Sequence, residues 1–192
     1  MKKIFKIILL MGISLLLIIG CSSKEGEKTI DNFINKLLSV KTYEGVTFLA
    51  DEDIDELKVG LVEYSSEELK ENFGEYFPEN GFDTSMAIKI PSLYYTVINK
   101  NNIKDITDIK IVKTKESEND TYKNCEFINY EYEVSYKLKA DDKTIDMTDY
   151  MVFKVMKNNT SIIDEVYMVI EKSSIFTEFF NIRNSINKTT LY

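Results

Sequence analysis

Between Ile128 and Leu138 the chain alternates strictly: Ile128, Tyr130, Tyr132, Val134, Tyr136 and Leu138 share one side of an extended backbone, with Glu131, Glu133 and Lys137 on the other. A helix cannot gather those six on one face, because helical neighbours recur at three and four residues and extended ones at two. The segment is therefore a strand with one buried and one wet face, which belongs to an antiparallel sheet covered on a single side. Runs rich in Ile, Val, Tyr, Phe and Thr supply its neighbours, giving Ile103–Lys115, Tyr122–Lys139, Thr144–Lys157 and Ser161–Lys172. Turn formers separate them at Glu116 to Asp120, Ala140 to Lys143 and Asn158 to Thr160. The third run keeps Ile145, Met147, Met151, Phe153 and Val155 on one face, and Val166 to Ile170 is apolar on both, which suits a central strand.

The first half has the other period. Ile30, Phe33, Ile34, Leu37 and Leu38 fall at i, i+3, i+4, i+7 and i+8, the stripe of an amphipathic helix, with Thr29 as its expected N-cap. A weaker helical stretch follows over Val46–Leu49 and Ile54–Val62. Ser65 and Glu68 form a capping box for a third helix ending near Phe77, before Pro78. Over Met86–Asn99 the reading is open. Pro91 is expected to break the segment, leaving Ser92 to Ile98 as a strand or a short helix.

Helices followed by a long meander predict an α+β domain, with N-terminal helices on one face of a curved antiparallel sheet of about four long strands. That order over residues 28–172 resembles the nuclear-transport-factor-two-like fold, a cone-shaped sheet wrapped on an N-terminal helix. A cystatin-like fold is the alternative. The resemblance implies an open wide end, where Tyr130, Tyr132 and Tyr136 would line a small-ligand pocket. The plainer reading of these rings is core beneath the helix. Residues 173–192 carry Ile175, Phe176, Phe179, Phe180 and Ile182, and three roles are open to them: covering the sheet, pairing with a partner, or fraying.

Ahead of the domain, Lys2, Lys3 and Lys6 precede an apolar run over Ile7–Ile19, which ends in Ile18-Ile19-Gly20-Cys21 and turns polar at Ser22-Ser23-Lys24-Glu25. The run is shorter than the ~18–20 apolar residues of a membrane span. It resembles the signal and lipobox of bacterial lipoproteins. The resemblance implies cleavage between Gly20 and Cys21 and a thioether-linked diacylglyceryl group on Cys21, the only cofactor-like group expected. Two acyl chains suffice for stable anchoring. Residues 1–20 are then signal, 21–27 a lipidated cysteine with a polar tether reaching ~20–25 Å, 28–172 one domain, and 173–192 a C-terminal segment. A composition dominated by Lys, Asn and Ile, with Arg183 as the single arginine, fits a Gram-positive host and a place on the outer face of its cell membrane.

Losing three signal lysines takes the formal charge from −8 to −11. Such a surface repels nucleic-acid phosphate and anionic headgroups, so nucleic acid is not an expected partner and attachment falls to the lipid. With Cys21 acylated, Cys125 has no partner for an intramolecular disulfide, and it reads as a small apolar residue in a strand. The chain has no histidine, which removes Ser-His-Asp, Cys-His and H-E-x-x-H chemistry. Asp51 to Glu56 begins like a calcium loop, but Glu56 stands where the turn needs glycine and Val62 where a bidentate carboxylate is needed, so no metal site is expected. Asp141-Asp142 sits in a turn, and no spacing supports a catalytic pair. The expectation is a non-enzymatic module that binds an envelope protein or forms part of an envelope assembly, of open oligomeric state, with small-ligand binding as the second class and a carboxylate- or Ser/Lys-based hydrolase as the third.

Overall fold

A computed structural model describes residues 24–44, 67–78, 86–122 and 125–189. The expected signal, Cys21, the helical stretch within 46–62, the acidic run 51–56 and the Ser65 cap lie outside them. Among the described residues four strands form one antiparallel sheet in sequence order: β1 (Asp105–Tyr122), β2 (Cys125–Lys139), β3 (Thr144–Met156) and β4 (Asn159–Met168). Helices α1 (24–37), α2 (Glu67–Phe73), α3 (Met86–Lys100) and α4 (Ser174–Thr189) lie on its inner face. The fold is α+β, a curved meander covered on one side.

The alternation of β2 becomes burial. Ile128, Tyr130, Tyr132, Val134, Tyr136 and Leu138 all point inward, and Tyr130 stands opposite Phe153 of β3. The outer face stays polar and carries cross-strand pairs such as Lys115 Nζ to Glu131 Oε1 at 2.9 Å and Tyr150 Oη donating to Glu133 Oε2 at 2.5 Å. Exposed ion pairs of this kind contribute little to stability, about 0–1 kcal/mol each. The core is held instead by rings. Phe33 of α1 packs edge-to-face on Phe73, Tyr76, Phe77 and Phe153, with centroids 5.6–5.8 Å apart.

Several sequence expectations are corrected. Thr29 is inside α1, where its Oγ1 donates back to the Glu25 carbonyl at 3.1 Å, and the helix already runs at residue 24. Residues 24–27, expected as tether, are thus its first turn. Pro91 does not break α3. Ile90, Leu93, Tyr94, Val97 and Ile98 repeat the i, i+3, i+4, i+7, i+8 stripe and are all buried, enough to offset the ~3 kcal/mol a proline imposes inside a helix. The helix ends in a Schellman turn. Asn102 takes φ 51°, Ile103 N–H reaches the Ile98 carbonyl at 2.9 Å, and Asn102 N–H reaches Asn99 at 3.0 Å.

The expected turn at Glu116 to Asp120 is strand. β1 continues to Tyr122, accommodating its charged residues with register shifts at Thr107/Lys110, Lys113/Lys115 and Glu118/Asp120. Turn-forming residues are tolerated there because β1 is an edge, where bulges and charge discourage pairing with another chain. β4 is an edge as well, not central: Val166 and Met168 face inward while Tyr167 is 45% exposed, and Ile170 has left the strand for a 3-10 turn over Ile170–Lys172. The C-terminal segment covers the sheet, burying Ile175 and Phe176.

Candidate functional site

The three tyrosines proposed for a pocket are brought onto one inner face and are buried there: Tyr130, Tyr132 and Tyr136 are 0, 3 and 2% exposed. Each is covered by an element of the helical layer or by a facing ring. A β-carbon built on Gly26 of α1 would lie 3.1 Å from Tyr130 Oη, a contact tight enough that any larger residue would need the ring to shift by a few tenths of an ångström. Tyr132 packs edge-to-face on Phe153 at 5.8 Å, and Tyr136 is tilted against Tyr94 at 6.2 Å. Buried in the core cluster, the three rings match the plainer sequence reading of core beneath the helices.

What the structure does build around them are two polar constellations. The first pins the start of α1. Lys113 of β1 places its ammonium 2.6 Å from both Glu27 Oε1 and Glu116 Oε2, and 5.8 Å from the Tyr130 ring centroid. Donating hydrogen bonds to the Glu116 and Glu27 carboxylates raises the Lys113 pKa, so it stays charged. Burial, followed by those same carboxylates, pushes Tyr130 up to about 12. On the other side Thr160 of β4 donates to Glu25 Oε2 at 3.1 Å. The first turn of α1 is therefore held from β1, β2 and β4 together.

The second constellation went unread in the sequence. Asp149 of β3 is 0% exposed, and its Oδ2 accepts both Tyr94 Oη at 2.6 Å and Tyr136 Oη at 2.5 Å. Its Oδ1 accepts the Ile175 N–H at 3.0 Å, so a strand residue caps the start of α4. The seryl hydroxyls beside it extend the sheet: Ser173 Oγ accepts Tyr150 N–H and Ser174 Oγ accepts Thr148 N–H, each at 3.1 Å. Burial raises the Asp149 pKa, opposed by the Tyr136 and Tyr94 hydroxyls and the Ile175 and Ser174 amides. Burial likewise holds both phenols well above their usual range. A signal existed: position 149 is the one acid among the inward positions Ile145, Met147, Met151, Phe153 and Val155.

Chemically, the Asp149 cluster joins α3, β2, β3 and α4 at one point but has no surface for a substrate to reach. Asp141 and Asp142 are exposed in the β2–β3 turn, as expected of solvated carboxylates. Cys125 opens β2, while Gly20 and Cys21 lie outside the described residues. Among the described residues no helix is long and apolar enough to cross a membrane, and no three His, Cys, Asp or Glu side chains converge on a point that would hold a metal ion. No family model, no curated protein and no solved structure matches this chain.

Proposed function

We propose that this chain is a lipid-anchored extracytoplasmic protein whose domain works by binding another protein of the cell envelope. The observation that carries the reading is Ile18-Ile19-Gly20-Cys21, placed after three lysines and an apolar run and followed within three residues by the start of α1. Support comes from the pinned first turn, which makes a folded body begin almost at the acylated cysteine. Among the described residues the one fully buried acid, Asp149, is committed to holding helices rather than exposed to substrate, which favours a binding role over a catalytic one.

Cys21→Ala tests the anchor. The variant should leave the membrane fraction and accumulate as soluble or unprocessed protein, whereas a processed, membrane-bound variant refutes it. Crosslinking on intact cells tests the partner. A discrete adduct with an envelope protein is expected. A monomeric purified protein that yields no adduct refutes the binding role.

A further inference from the structure

The acylated end and the folded domain are separated by too little chain to let the domain tumble. Consecutive Cα atoms are 3.8 Å apart, so the three steps from Cys21 to Lys24 span at most about 11 Å in any conformation. From Lys24 onward the backbone is helix, and its first turn is fixed to the sheet by Gly26 against Tyr130, Glu27 to Lys113, and Glu25 to Thr160. The contacts at Tyr130 and Thr160 lie in the half of the sheet that ends where Tyr122 meets Cys125 and where Lys157 N–H bonds back to the Glu126 carbonyl, while Lys113, opposite Tyr132, holds the helix from mid-strand. The opposite end carries the β2–β3 turn and the α3–β1 connection, tied by Lys143 Nζ to Asn101 Oδ1 at 2.7 Å.

We infer that the bilayer surface is a fixed partner of one end of this domain: the β3–β4 turn at Lys157-Asn158 faces the lipid headgroups, while the β2–β3 turn and the α3–β1 connection are presented outward. The inference rests on acylation of Cys21 and adds an orientation to it. Headgroup contact at this end does not require a basic patch. Lys157 lies between Glu118 at 3.1 Å and Glu126 at 3.3 Å and offsets one of the two carboxylates, so this triad keeps a single net negative charge, which a zwitterionic headgroup surface tolerates. The two ends are separated by the length of β3, Thr144–Met156, about 40 Å at 3.3 Å per residue. The outward end is where a protein partner would have free access.

The test uses the full acylated chain with Cys125→Ser, carrying either Asn158→Cys or Asp142→Cys, both at exposed turn positions. Each is nitroxide-labelled and reconstituted in phosphatidylcholine vesicles doped with a nickel-chelating lipid. The protein has no histidine to bind the chelate. Paramagnetic relaxation should be several-fold stronger at 158 than at 142. Inserting ten Gly/Ser residues between Ser23 and Lys24 should erase the difference while leaving vesicle flotation intact. Protein that does not float overturns the anchor itself. Protein that floats but shows equal or reversed relaxation, or a difference that survives the insertion, overturns the orientation alone.

Discussion

Tyr94→Phe removes one oxygen from the protein and leaves its packing in place, so it isolates the hydroxyl that Asp149 accepts. The ring keeps its tilted contact with Tyr136 at 6.2 Å, and Asp149 Oδ2 loses its 2.6 Å donor while keeping Tyr136. A hydrogen bond to a charged buried group is worth about 1.5–3 kcal/mol. For a domain of this size about 1 kcal/mol moves Tm by 2–4 °C, so the expected loss is roughly 3–12 °C at neutral pH. The pH dependence follows from linkage. Burial raises the folded pKa of Asp149 above its unfolded value. The group's contribution is therefore most favourable below the unfolded pKa and declines as pH rises through the folded one. The Tyr94 hydroxyl opposes that rise, so its removal lifts the folded pKa further. The penalty of Tyr94→Phe is thus full above the variant's folded pKa and shrinks as pH falls through it, towards the ~0.5–1.5 kcal/mol of a neutral hydrogen bond. Urea unfolding of wild type and variant at a series of pH values reads this directly. A neutral substitution, or a penalty that grows on acidification, would refute a charge-dependent bond at Asp149.

Gly26→Val should destabilise the domain by about 1–3 kcal/mol, the usual range for overpacking, because its β-carbon meets Tyr130 Oη at 3.1 Å. Equal urea midpoints would show that the first turn of α1 is not seated as described. Phe33→Ala strips the ring shared by Phe73, Tyr76, Phe77 and Phe153 and should cost about 3–5 kcal/mol in the same assay. A loss under about 1 kcal/mol would mean that this cluster does not organise the core.

What the sequence disclosed follows from how each signal is encoded. The stripe Ile30 to Leu38 and the alternation Ile128 to Leu138 are repeated over several turns or residues, so burial on one face leaves a pattern no local exception can hide. Pro91 is a single residue, and its veto was overruled by the five buried residues of the α3 stripe, a periodicity already present in Ile90, Leu93, Tyr94, Val97 and Ile98. Glu116 to Asp120 has turn composition, but its structure is decided across the hairpin. Glu116 pairs with Tyr130 and Glu118 with Ile128 of β2, whose inward side chains need the sheet to continue. How deeply the tyrosines are buried is likewise decided at a distance. Their inward direction is a local property, whereas the closeness of the covering helix depends on Gly26, about a hundred residues earlier in the chain.

Asp149 shows why one inward acid is compatible with a sheet that otherwise excludes charge. Because side chains alternate with period two, a one-residue slip of β3 would carry Asp149 to the wet face and Thr148 or Tyr150 into the core. In the observed register the carboxylate finds two phenols and the amide of Ile175, so the slipped state loses every one of those bonds at once. Apolar residues alone discriminate register less sharply, since one methylene contact can substitute for another. The same acid fixes where the C-terminal segment goes. The seryl hydroxyls of Ser173 and Ser174 accept the Tyr150 and Thr148 amides on the side of β3 beyond the last β4 pairing, and Asp149 then receives the first turn of α4. The buried charge carries a desolvation penalty, and its structural return is a single register and a single docking position for α4.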